Sequence, residues 1–243
     1  DIDQRDDNKI YRFVLQPCLE VNRRCLRALQ VVPVFEGSEA LPSSDTVMQV
    51  SGESQKADDL VIWEKEFIEE VLVFFHERLS DDSGFGEQSI QIGLPLSLST
   101  ALSEGYFEWF SGLLNLYGVE PKKLVLHVCE LEDLRLKEES DVLCSLNRAG
   151  FTICFDKYLA DDPRFKTLSH PAIEILNCDG LVPKEAFRSS VAWRYLCGLF
   201  ALTEQLEKTL ILNGIDTVQE LDFITDFSGA WFQGRMTGGA LAP

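Results

Sequence analysis

The alternation of apolar and polar positions divides the chain into short elements of two kinds. Residues 11–19 are aromatic and β-branched enough for a strand, and residues 25–35 form a second apolar run. The turn-like Glu20-Val21-Asn22-Arg23 lies between them. The pair is therefore expected to be antiparallel, because parallel neighbours need a long crossover. Pro33 within the second run points to an edge, a bulge or the end of the strand. Residues 36–59 turn polar, with Gly37, Pro42, Ser43, Ser44, Gly52 and Ser54, and read as a loop-like insertion. Over 61–78, Trp63, Phe67, Val71 and Phe74 recur every three or four residues with Glu64, Glu66, Glu69 and Glu70 between them, the period of a helix with one polar face.

The same two patterns continue downstream. Strands are expected over 89–98, where Pro95 is awkward, and over 123–129, 151–155, 173–176, 209–212 and 230–232. Helices are expected over 104–117, stopped by Gly118, over 140–148, ending at Gly150, and over 184–200 and 218–223. Strands and helices thus alternate singly through the last two thirds, which implies βα units and a mostly parallel sheet. With the opening strands the repeats number near eight, which favours a closed barrel over an open doubly wound sheet. In a barrel, polar residues just beyond the strand ends face the site. Those positions are Gln30, Pro95, His127 to Glu130, Asp156-Lys157, Asn177 to Asp179, Asn213 and Gln233.

Composition narrows the function. The 243 residues are 45% apolar, enough for a core, which excludes a wholly disordered chain. Twenty-two Lys and Arg against 40 Asp and Glu give a formal net charge of −18. That surface repels phosphate backbones, excludes general nucleic-acid binding, and favours a basic protein partner. The seven cysteines are odd in number and include no CxxC pair, so they read as reduced thiols in a cytoplasmic protein with no structural zinc. No run of 18 apolar residues and no secretory pattern occurs, so no membrane span is expected.

The strand ends carry little recognisable chemistry by themselves. Asp156-Lys157 suits either a metal or water-orienting carboxylate or a salt-bridged loop start. His127 and Glu130 would need convergent carboxylates, and the corresponding places offer amides and a proline. Mg²⁺ or Mn²⁺ wants several carboxylate oxygens. No GxGxxG, GxxxxGK[ST] or GxSxG sequence is present.

At these positions the chain resembles the EAL domain family of bacterial cyclic-di-GMP phosphodiesterases, over nearly its whole length. Leu15-Gln16-Pro17-Cys18 is similar to the family's opening YQPI. Gly118-Val119-Glu120-Pro121, with 124–130 after it, resembles the lead into LxLEITE. Residues 150–156 resemble the stretch ending in the first Asp of DDFG. Leu176-Asn177-Cys178-Asp179 stands where LKID is expected, 213–217 where EGVET is expected, and Phe232-Gln233-Gly234 matches the terminal QG. The resemblance implies a modified (βα)8 TIM-type barrel, an α/β fold whose first strand runs antiparallel. It places a polar extension or linker over 1–10 and the barrel over 11–243, with the loop-like segment at 36–59.

The resemblance also implies a lost active site. Family enzymes hydrolyse one phosphodiester bond with two Mg²⁺ or Mn²⁺ ions. Their metal and catalytic set is Glu, Asn, Glu, Asp, Asp, Lys, Glu and Gln. Here the matching positions read Gln30, Pro95, His127, Asp156, Lys157, Asn177, Asn213 and Gln233, so two of eight survive. Val34 stands where the family has a phosphate-binding Arg, and Glu130 keeps the second Glu of LEITE. A vestigial site with no catalytic residue, no resident metal and no Mg or Mn cofactor follows. The expected function is a non-catalytic, regulatory protein-interaction module in bacterial signalling. The alternative is a cyclic-di-GMP receptor without hydrolysis, with Gln16, Arg164 and Gln233 as ligand contacts, and a weak phosphodiesterase stands third. Expected partners are a regulatory protein, a second copy in a homodimer, and an attached sensory or GGDEF-like domain.

Overall fold

The structure, a computed structural model, describes residues 12–34, 57–80, 90–128, 137–158 and 167–238. Eight strands close into a barrel in sequence order. β1 (Arg12–Glu20) and β2 (Leu26–Val34) form the expected antiparallel hairpin, and β1 closes antiparallel onto β8 (Trp231–Phe232). All the other neighbours are parallel: β3 (Gln91–Leu96), β4 (Leu124–Val128), β5 (Thr152–Tyr158), β6 (Ile173–Cys178) and β7 (Thr209–Leu212). The crossovers carry α1 (Ala57–Ser80) before β3, then α2 (Leu98–Ala101) and α3 (Tyr106–Tyr117) before β4. Next come α4 (Lys137–Arg148) before β5, α5 (Leu181–Arg188) and α6 (Ser190–Gln205) before β7, and α7 (Val218–Phe223) before β8. This is the modified (βα)8 barrel with an antiparallel first strand.

Two layers of apolar packing hold it. The larger lies between helices and barrel: α1 buries Trp63, Phe67, Ile68, Val71, Leu72 and Phe75, its positions three and four apart. Each such side chain contributes about 1.5–3 kcal/mol through burial, and truncating Phe67 to Ala would cost about 3–5 kcal/mol. The smaller layer fills the barrel itself with Cys18, Ala28, Val125, Cys154, Ile175 and Ile211, against which Trp231 packs. Small side chains suit that narrow interior. Burial raises the Cys18 thiol well above its ordinary range, so it packs as a neutral group.

Several boundaries differ from those the sequence suggests. The single helix expected over 184–200 is two, parted at Ser189, whose extended backbone and side chain cap α6 by accepting from the Ala192 N–H. The strand expected to end at Phe155 continues to Tyr158 across an irregularity that contains Lys157 at φ +56°. Ser97 ends β3 and caps α2. α1 begins at Ala57, inside the segment expected to be a loop, while 35–56 lie outside the described residues, as do 1–11.

The two strand prolines have a common explanation. β2 and β3 pair only from Ala28–Gln91 to Gln30–Gly93. Pro33 and Pro95 both lie past that last rung, where the strands have parted, so a missing N–H removes no bond between them. Pro33 remains paired with Phe13 on β1, and Pro95 with His127 on β4.

Candidate functional site

Strand parity turns the barrel interior into a ruler for the site. Side chains two apart on a strand share a face. Two residues beyond the interior layer, toward the C-terminal ends of the parallel strands, stand Gln30 above Ala28, His127 above Val125 and Asp156 above Cys154. Asn177 stands above Ile175, Asn213 above Ile211 and Gln233 above Trp231 in the same way. On β1, which runs the other way, Gln16 stands above Cys18 and is the register partner of Gln30. Pro95 completes the ring from β3. Each strand therefore supplies one member, which brings the sequence-derived positions together at one end of the barrel. Lys157 shares Asp156's strand but falls out of the alternation through its positive φ.

Half of this ring is tied side chain to side chain. His127 Nδ1 lies 3.4 Å from the Gln30 amide nitrogen and 3.6 Å from Asp156 Oδ2. Asp156 Oδ1 accepts from the Asn177 amide and from the Lys157 backbone N–H at 3.0 Å. Gln30, His127, Asp156 and Asn177 are all buried. They span β2, β4, β5 and β6, and the imidazole crosses β3 above Gly93. A Cβ on Gly93 would fall 2.7 Å from His127 Nε2, so only glycine admits the ring there. Burial raises the Asp156 carboxyl, but contacts with His127 and Asn177 and the Lys157 charge outweigh it and hold the group below the usual carboxylate range. Among the described members of the ring Asp156 is thus the one carboxylate, ionised and already surrounded by donors.

The other half is looser. Asn213 turns its carbonyl back to the Gly214 N–H at 2.8 Å. Gln233 is buried and its Oε1 has no donor, and the same is true of Asn177 Oδ1. Next to Gln233, the Gly234 backbone presses onto Ile215, whose carbonyl oxygen lies 2.3 Å from where a Cβ would be. Asp216 sits 3.2 Å from Lys184 and accepts from the Arg235 N–H at 3.1 Å. Burial raises its carboxyl, and Arg235 and Lys184 together bring it below its ordinary value. Gln16 and Val34 are half-buried. Arg164 and Glu130 lie outside the described residues. Among the described residues no three His, Cys, Asp or Glu converge as metal ligands. Nor is any helix long and apolar enough to cross a membrane.

One polar residue of consequence escapes the periodicity argument as first applied. Glu64 is buried, and its carboxylate accepts from the Ser97 N–H at 3.1 Å and the Ser97 Oγ–H at 2.7 Å. Ser97 in turn accepts from the Thr100 N–H. Glu64 thereby pins the end of β3 to α1. The signal was present: Glu64 stands three, four and seven residues before Phe67, Ile68 and Val71, on the apolar stripe rather than the polar face.

A family profile described as EAL domain matches residues 3–239. The chain belongs to the EAL domain family. Solved structures agree on the fold. The EAL domain of Xanthomonas citri FimX in complex with c-diGMP superposes with a TM-score of 0.77 at 13% identity, over 96% of this chain and 88% of that one. PaMucR phosphodiesterase in its c-di-GMP complex gives 0.81 at 17% identity, over 98% and 95%. The EAL enzyme Bd1971, bound to cAMP and cyclic-di-GMP, gives 0.81 at 12% identity over 98% of this chain, which spans 64% of that longer one. No curated protein sequence matches the chain. Set on the EAL barrel, the polar ring occupies the strand ends that the family resemblance assigns to the active site.

Proposed function

We propose that this EAL domain is catalytically silent and acts in cyclic-di-GMP-related signalling by binding another protein. One observation carries the reading: the ring contributes a single carboxylate, Asp156, and its oxygens face Asn177, His127 and the Lys157 N–H. A pair of divalent ions a few ångströms apart needs several anionic oxygens to offset their repulsion and to hold a water as nucleophile. The amides of Gln30, Asn177 and Asn213, an imidazole and the Lys157 ammonium do not fit such a pair. The imidazole reaching between Gln30 and Asp156 takes up the space over β3. Where the family resemblance places a catalytic lysine stands Asn177, whose neutral amide does not act as an acid or base at ordinary pH.

Incubation with cyclic-di-GMP and Mg²⁺ or Mn²⁺ tests this directly. No pGpG above background is expected, and turnover would overturn the reading. A protein partner co-purifying from the native host, and lost when surface residues are changed, would identify the positive half of the function.

A cyclic-di-GMP receptor without hydrolysis is the second reading. It is favoured by Asn177 Oδ1 and Gln233 Oε1, buried acceptors without donors, which match the N–H groups of a guanine edge. Against it, Val34 offers a phosphate no charge. Calorimetry with cyclic-di-GMP separates the two: micromolar binding supports the receptor, and its absence leaves the protein-binding module.

A further inference from the structure

The chain has three histidines, and one of them, His170, lies outside the polar ring with every polar group of the residue engaged. Its N–H donates to the Thr167 carbonyl at 3.0 Å, and its own carbonyl accepts from the Ile173 N–H at 3.2 Å and the Lys208 ammonium at 2.9 Å. Its Nδ1 accepts from the Ala172 N–H at 3.3 Å, and its Nε2 lies 2.9 Å from Ser140 Oγ on α4. A backbone N–H can only donate, so Nδ1 must keep its lone pair. The proton of the neutral ring is therefore on Nε2, which donates to Ser140. One imidazole in one tautomer thus ties α4 to the turn that leads into β6. Lys208, just before β7, caps the same turn at the carbonyls of His170 and Ile173.

This tie has no place for a second proton. On Nδ1 it would face the Ala172 N–H, donor against donor, and the cation formed would stand near the Lys208 ammonium. Nearest Ser140 on α4 are Lys137, Glu139, Asp141 and Cys144, and Glu204 and Glu207 precede Lys208. On β6, Glu174 accepts from the Asn147 amide at 2.6 Å and acts on Lys208. Among the described residues no carboxylate pairs with the ring. What acts on it is burial and, after burial, the Lys208 charge, and both hold the imidazole below its ordinary pKa.

We propose that His170 is a pH-sensitive clasp: a proton taken up at Nδ1 breaks the bond from the Ala172 N–H, and the ring swings out, leaving Ser140 and freeing α4 from the turn before β6. The closed form excludes the proton, whereas the open ring takes it up at the ordinary imidazole value of about 6.5. Above that pH the clasp stays shut. Below it, opening becomes about tenfold easier for each pH unit, down to the lowered midpoint of the closed form. The carboxylates of the barrel titrate lower, near pH 4 and below, so the two events are separate. α4 runs into β5 and the turn runs into β6, the strands that carry Asp156 and Asn177. The proposal goes beyond the function argued above and does not depend on it.

Nuclear magnetic resonance on the full chain between pH 5 and 8 tests it, by following the His170 ring and the hydrogen-exchange protection factor of the Ala172 amide together. The ring is expected to titrate below about 6.5. The Ala172 protection factor is expected to fall about tenfold per pH unit from there to the ring's midpoint, and the α4 amides around Ser140 to follow it. In His170→Asn the shorter side chain carries an oxygen that can accept from the N–H two residues on at every pH. That variant should show a protection factor at Ala172 that does not change across the range. A ring that titrates at its ordinary value, wild-type Ala172 protection independent of pH, or a fall that persists in His170→Asn would each overturn the proposal. The first two readings come from the wild-type chain, so they stand whether or not the variant folds.

Discussion

His127 lies across Gly93, with its Nε2 atom 2.7 Å from the point where a side chain on that glycine would begin. The two residues belong to adjacent strands, and the ring uses the space to reach Gln30 on a third. Gly93→Ala should therefore expel the imidazole, at about 1–3 kcal/mol for the overpacked core. The cost should shrink once His127→Ala has removed the ring, leaving only the 3.2 Å approach to the Gln30 Cα. Urea unfolding of both single variants and the double variant measures the coupling. Equal costs in the two backgrounds would show that ring and glycine are independent.

Acid should unfold the protein through its partnered carboxylates. Asp156, Asp216 and Glu20 are all held below their ordinary values, Glu20 chiefly by its hydrogen bond from Arg27. Between the folded and unfolded pKa values the unfolded chain binds more protons, so stability rises with pH there. The contribution is complete above about pH 4, the unfolded carboxylate range, and is lost as pH falls through the folded values. Asp156→Asn should flatten the pH dependence of the urea midpoint below that range and leave its slope near neutrality unchanged. An unaltered acid slope would mean that Asp156 titrates normally.

Glu64 should matter more to stability than any exposed glutamate on the same helix. Glu64→Ala leaves the buried Ser97 N–H without its acceptor and the Ser97 hydroxyl with only Thr100 Oγ1 and Ser99 Oγ to turn to, and should cost about 1–3 kcal/mol. Glu64→Gln keeps one acceptor oxygen and should cost less. Glu66→Ala, at an exposed position of α1, should fall within about 0.5 kcal/mol of wild type. Chemical denaturation of the three variants gives the order.

Divalent ions should leave the melting temperature where it is. A native-state site at a hundredfold excess of ligand over Kd would add about 2.7 kcal/mol, or roughly 5–10 °C for a chain of this length. Scanning calorimetry with Mg²⁺, Mn²⁺ or EDTA is expected to give superimposable transitions. A rise of several degrees with Mn²⁺ would show that the ring holds a metal after all.

The barrel and the ring were legible because both depend on short-range pattern. Strand parity alone carries His127, Asp156 and Asn177 to one end, and the short link between β1 and β2, residues 21–25, forces an antiparallel hairpin. What stayed hidden depends on contacts distant in sequence. Gly93 looks like a weak strand residue until His127 is laid over it, 34 positions later. Glu64 looks like surface because its charge outweighs its place on the apolar stripe, and only Ser97 explains why it is inside. The break at Ser189 has a local cause, a serine able to cap a new helix, yet apolar periodicity runs straight through it.

The parting of β2 from β3 beyond Gln30 and Gly93 gives the barrel a collar fastened on that side by side chains rather than by main-chain rungs. Its width there is set by an imidazole and an amide, both replaceable by point substitution without touching the strand ladder. The aperture of this barrel can consequently be tailored by substitution at these side chains while the rungs from Ala28–Gln91 to Gln30–Gly93 stay in place.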